Sequence, residues 1–146
     1  MRYLLLILPL IFTLACGESK PTEAKMETVV DPIEALKDEA IAVHDEVMPL
    51  MGPIDKLHKE INAASAQLIE AKLATAEEIE ALSGRLHTAN ENMMTWMNDY
   101  STEVVRKDGV ASMETLESLK KSVLAVRTDM KSAKADAEAL LAKLNQ

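Results

Sequence analysis

The sequence predicts an all-α fold, an antiparallel, coiled-coil-like bundle of three helices running up-down-up. Three observations carry that reading. Apolar residues recur at alternating steps of three and four over three long stretches, the mark of one helix face. Gly and Pro are sparse (4 and 5 of 146 residues) while Ala, Leu, Glu and Lys abound, which favours helices over sheets. The links between the stretches are short, so neighbouring helices turn back on one another. A parallel, self-associating coiled coil is the alternative, because such stripes also pair between chains.

The first stripe runs Ile33, Leu36, Ala40, Val43, Val47, Leu50, Ile54, Leu57, Ile61, Ala64, Leu68 and Ala71. Asp31 is placed to cap this helix, with Pro32 at its first position and Glu34 completing a box-like start. Pro49 and Pro53 fall inside it, and an interior proline costs about 3 kcal/mol. The stripe nevertheless keeps its phase across both. The prolines and Gly52 also lie off the apolar face, where water reaches the freed carbonyls. One long bent helix over about 32–73 is therefore expected, against a rival of two helices restarting at Pro53.

The second stripe is Ile79, Leu82, Leu86, Ala89, Met93, Trp96 and Tyr100. Extending the first frame would bury Glu78 and Arg85, so the chain turns near Ala74. Thr75 and Glu78 then form a capping box for a helix over 76–101. Ser101 to Ala111 lacks helical phase and holds the turn signal Asp108-Gly109. The third stripe, from Leu116 to Leu144, predicts a helix over 112–145 capped by Ser112.

Ahead of the bundle stands a leader. Arg2 supplies one positive charge, and Tyr3 to Ala15 form an uncharged, mostly apolar run. That run is shorter than the roughly 20 residues needed to cross a bilayer and matches a signal-peptide core. It ends at Thr13-Leu14-Ala15-Cys16-Gly17, where a small residue precedes the only cysteine. The segment resembles a bacterial lipobox, although Thr13 stands where leucine is commonest. The resemblance implies a signal peptide over 1–15, acylation of Cys16 and attachment to a membrane through the lipid. Ordinary cleavage leaving a free thiol and an uncleaved anchor are the competing outcomes. Residues 16–31 then form a lipidated N-terminus and polar tether with a reach of roughly 20 Å. Gly17, in place of aspartate, favours the outer membrane facing the periplasm by resemblance to sorting rules.

The formal net charge is −8. Without the leader and its Arg2 it is −9, from 15 basic against 24 acidic side chains. Such a surface repels a phosphate backbone, so no nucleic-acid partner is expected. It also opposes lying flat on an anionic bilayer. Of four aromatic residues, Tyr3 and Phe12 lie in the leader, leaving Trp96 and Tyr100 as the only rings of Phe, Tyr or Trp type in the body. The core must be aliphatic.

Folding the first two helices about Ala74 sets Pro53 opposite Trp96, Gly52 opposite Met97 and Pro49 opposite Tyr100. Met48, Met51, Met93, Met94, Met97 and Met113 then collect at one end with both rings. Ordinary packing accounts for this, since methionine fills irregular space beside a bend and its sulfur sits well on a ring. A deformable apolar surface also suits recognition of a peptide or partner helix. Thioethers with His44 nearby suit Cu(I). A periplasmic holding chaperone is a third functional reading. The candidate binding patch is His44, Met48, Pro49, Met51, Met93, Met94, Trp96 and Met97.

Two segments of this patch, Ala42-Val43-His44-Asp45-Glu46-Val47-Met48-Pro49-Leu50-Met51-Gly52 and Met93-Met94-Thr95-Trp96-Met97, carry a resemblance. They are similar to a group of small bacterial lipoproteins, some labelled "viral A-type inclusion protein", a label that reflects coiled-coil likeness. Leu50 departs from the basic residue of that group. The resemblance implies no activity, and it directs attention to His44–Gly52 and Met93–Met97.

Catalytic patterns are missing from the sequence. Asp55-x-x-His58 would face one way on a helix, yet a di-iron bundle needs two Glu-x-x-His pairs and further inward carboxylates. His58 and His87 therefore read as surface groups. No Gly-rich phosphate loop or CxxCH haem site occurs, and the serines show no histidine–acid constellation. Glu77-Glu78 fits a helix start. The expectation is a non-catalytic binding or structural envelope lipoprotein with a protein partner, no cofactor and no metal, the soft-metal and chaperone readings being its alternatives.

Overall fold

A computed structural model describes residues 31–106 and 111–146. The leader, Cys16, the tether up to residue 30 and the Asp108-Gly109 turn lie outside these residues. The described chain forms helices α1 (Pro32–Val47), α2 (Met51–Glu70), α3 (Ala76–Tyr100) and α4 (Met113–Ala142). α1 and α2 follow one another as a single arm. The arm, α3 and α4 pack as an all-α three-helix bundle.

The arm is segmented, and this corrects the single continuous helix expected over 32–73. A tight 3₁₀ turn, Met48–Leu50, separates α1 from α2. Pro49 has no N–H to offer the carbonyl one turn back, so the chain tightens there, and the Met51 N–H bonds Met48 three residues earlier. Pro53 falls in the first turn of α2, where backbone N–H groups lack intrahelical partners anyway. The second helix thus restarts at Met51, two residues earlier than the two-helix rival placed it. Backbone angles on both sides stay right-handed helical, so Val47 and Ile54 remain fully buried on one stripe.

The helix starts are built by their sequence. Asp31 accepts a hydrogen bond from the Ile33 N–H at 2.9 Å, with Pro32 at the first position. Glu34 pairs with Lys37 at 2.8 Å and does not reach back to close a box. At α3 the box is complete: the Glu78 N–H donates to Thr75 Oγ1 at 3.2 Å, and the Thr75 N–H donates to Glu78 Oε2 at 2.8 Å. These bonds hold the Glu78 carboxyl below the usual range. Ser112 caps α4 by accepting from the Thr115 N–H at 3.2 Å.

α2 ends at Glu70, three residues short of the extent expected, and the turn to α3 is centred on Lys72. Lys72 adopts a positive φ of 53°. Its N–H bonds Ile69 at 3.0 Å, and the Leu73 N–H bonds Leu68 at 2.9 Å. This is a Schellman closure with lysine at the left-handed position that usually holds glycine. Beyond Tyr100 the chain also differs from expectation. Ser101–Val105 continues as one wide π turn, and it buries Val104.

The core is aliphatic along all three seams. Ile54, Ile61, Leu68, Leu86, Leu116 and Val123 are fully buried, together with Met93 and Met130. α4 runs parallel to the arm and antiparallel to α3. Glu39 and Glu46, seven residues apart, pair with Lys120 and Arg127, also seven apart, and Glu46 takes a further bond from Lys131. Arg85 reaches Asp136 at 2.8 Å across the α3–α4 seam. No described helix is long and apolar enough to cross a membrane.

Candidate functional site

Five of the eight candidate residues, His44, Met48, Met51, Met94 and Met97, lie along the outer seam between the arm and α3, while Met93 and Trp96 are buried. Beside the core stripe each helix carries a second stripe at the same three-and-four spacing. On the arm it reads His44, Met48, Met51, Asp55, His58 and Asn62; on α3 it reads Ser83, His87, Asn90, Met94 and Met97. Residues so spaced lie one above another on one face. All three histidines of the chain fall on these two stripes.

Hydrogen bonds and rings tie the stripes together. The Ser83 hydroxyl, buried, donates to Asn62 Oδ1 at 2.9 Å. His58 and His87 meet with ring centroids 5.7 Å apart. Asn90 Nδ2 donates to the Met51 carbonyl at 3.0 Å. His44 stacks on Trp96 with centroids 5.4 Å apart, and Trp96 stacks in turn on Tyr100 at 5.1 Å. Burial pushes the Tyr100 phenol up from its usual value, with nearby Lys37 opposing.

These contacts correct the expected register. Trp96 lies against His44 and not against Pro53; reversal at Lys72 in place of Ala74 accounts for about four of the nine residues of that shift. Trp96 is buried, and its indole N–H donates to the Leu119 carbonyl of α4 at 2.8 Å. It therefore locks all three passes.

The candidate methionines divide into two sets. Met93 is fully buried and belongs to the core. Met51 and Met97 are half-buried against it, while Met48 and Met94 are 41% and 57% exposed. Met48 is bracketed by the two ties at His44 and Met51, and Met94 by those at Asn90 and Trp96. Pro49 is exposed on the tight turn. Met113, expected in the same cluster, is exposed in the first turn of α4. Met130, outside that cluster, is core. Cys16, the expected lipid attachment, lies outside the described residues.

Several participants escaped the sequence reading. His58 and His87 read singly as surface groups, and Asn62, Ser83 and Asn90 carry no signal of their own. The signal was the second stripe itself, legible only once two stripes are set facing. Asn90 adds an oddity: its Oδ1 is buried without a hydrogen-bond partner among the described residues. The amide cannot gain by flipping, since its oxygen would then face the Met51 carbonyl. Below this point the seam opens into a cleft of about 510 Å³ lined by His58, Asn62, Ser83 and His87.

No family model, curated protein or solved structure matches the chain.

Proposed function

We propose that the chain is a lipid-tethered, non-catalytic binding module of the bacterial envelope whose recognition surface is the arm–α3 seam. One observation carries this reading. Exposed Met48 and Met94, with half-buried Met51 and Met97, lie within two helical turns of the stacked His44, Trp96 and Tyr100. Flexible thioethers beside the stacked rings suit an apolar segment of a partner, because they adapt their shape at little cost.

The test places a photo-crosslinking side chain at Met94 in the full chain in intact cells, with a control at Glu117 on the exposed side of α4. The expected result is a discrete adduct from position 94 that disappears when Met48 and Met97 are both changed to Ser. Identical adducts from 94 and 117 would refute the seam as the recognition surface. Tethering is tested separately by metabolic labelling with a fatty-acid analogue. Label is expected on the parent and not on Cys16→Ala.

A second reading, soft-metal binding, is favoured by His44, Met48, Met51, Met94 and Met97 sharing adjacent turns of facing helices. Thioethers and imidazole together suit Cu(I). The parent should compete with a Cu(I) chelator, and the Met94→Leu, Met97→Leu double variant should not. Equal competition by both removes this reading.

A further inference from the structure

The methionines of the arm and α3 differ sharply in their access to solvent. Met93 and Met94 are consecutive, yet Met93 is fully buried and Met94 is 57% exposed. Successive helical positions point about 100° apart, so Met93 falls on the core stripe and Met94 on the second stripe beside it. Met48 is 41% exposed where the arm tightens into its 3₁₀ turn. Met51 and Met97 are half-buried. We propose that Met48 and Met94 are sites of reversible oxidation to methionine sulfoxide, and that this modification switches the seam from apolar to polar. The switch deepens the recognition reading given above and rests on it; the order in which the sulfurs oxidise does not.

The co-reactant is a hypohalous acid. One thioether and one HOCl give one sulfoxide, one chloride and one proton. Sulfur loses two electrons and chlorine gains them; an S–O bond forms and the O–Cl bond breaks. Return takes two thiols, which leave as a disulfide while the sulfoxide oxygen departs as water. A sulfoxide replaces a flexible apolar group with a polar one, which disrupts methionine-rich contact surfaces.

Burial decides which sulfurs respond. Met93 and Met130 are fully buried, so oxidant reaches them only when the fold opens. Trp96 is buried as well and is held by its bond to the Leu119 carbonyl. The core beneath the seam therefore outlasts the modification of its surface. Met48 stands on the arm and Met94 on α3, so both walls of the seam change together. Among the described residues Met113 is the one further exposed methionine, at 40%. It lies in the first turn of α4 and serves as an internal control.

The test treats the full chain in detergent with limiting hypochlorous acid and maps sulfoxide by peptide mass spectrometry. Met94 and Met48 should lead Met93 and Met130 by about tenfold or more, because buried sulfur must wait for opening. Helicity and Tm should stay at their untreated values. Nile red, a neutral dye that fluoresces on apolar surface, should report a loss of about twofold or more on oxidation. The signal should return after treatment with a thiol and the reductases for both sulfoxide epimers. In a Met48→Leu, Met94→Leu variant, compared with its own untreated state, oxidant should not change dye uptake, whereas Met113→Leu should respond as the parent does. Sulfoxide at Met93 or Met130 as early as at Met94 would overturn the inference and leave the recognition reading standing. So would a fall in Tm that accompanies the first sulfoxides, or an equal loss of dye from the double variant. A parent that takes up no dye before treatment would instead remove the apolar surface, and with it the switch.

Discussion

The arm contributes to two seams, and they are held by opposite chemistry. Against α4 it presents Glu39 and Glu46 to Lys120, Arg127 and Lys131. Against α3 it presents His44, Met51, His58 and Asn62 to Trp96, Asn90, His87 and Ser83. The same apolar stripe lies beneath both. A charged flank fixes register and orientation, as flanking charges do in coiled coils, while each exposed pair adds little stability. A flank mostly of soft and ring-bearing groups gives less such long-range guidance. Its register depends on a few short hydrogen bonds and one tryptophan. It does, however, leave side chains able to bind something else.

The largest expected effect comes from that tryptophan. Trp96→Ala should lower stability by about 3–5 kcal/mol in urea unfolding, through the cavity it leaves in the core. A loss comparable to a surface substitution would mean that the arm–α3 seam does not depend on its ring stack. Next is Asn90→Asp, which replaces the amide donor with a carboxylate facing the Met51 carbonyl. It should cost about 1–3 kcal/mol. Unchanged stability would show that the Asn90–Met51 tie does not set this seam.

A smaller gain is expected at the turn that sets the register. Lys72→Gly relieves a left-handed residue and should stabilise by about 1 kcal/mol. A loss of stability would contradict the positive φ at this position. The smallest effect belongs to the charged seam. Lys131, then Arg127, hold the Glu46 carboxyl below the usual range. A carboxyl depressed in the folded state contributes stability above its unfolded value, and that contribution disappears as pH falls through the folded value. Glu46→Gln should therefore flatten the acid limb of a stability–pH profile and cost slightly at neutral pH. The neutral-pH cost should vanish in roughly 1 M salt, where the screening length is about 3 Å. A salt-independent cost would mean the pair acts by packing.

The two seams were also unequally legible in the sequence. Buried stripes could be read directly, because a strict three-and-four alternation has one helical interpretation. The caps at Asp31, Thr75 and Ser112 could be read because each has a side-chain acceptor at a fixed offset from the first apolar position. The break at Met48–Leu50 was obscured by the very feature that marks the stripe: a short tight turn changes the hydrogen bonding without changing which residues are buried. The register between arm and α3 was obscured in part because Lys72, and no glycine, occupies the left-handed position. What remained was the apolar pair Leu68 and Leu73 flanking the turn. That His44, Met48 and Met94 fall near one another was legible from residue type and spacing. The meeting of His58 with His87 was not, since it depends on a register that no single stripe contains.

An odd number of passes has a directional consequence. The chain enters the bundle at Asp31 and leaves it at Gln146, and because α4 runs parallel to the arm, these residues mark opposite poles. α4 alone has 30 residues, about 45 Å at the ordinary rise. Held from the Asp31 side, the body would act as a strut, carrying the Lys72 reversal and the final turn of α4 farthest from the point of attachment.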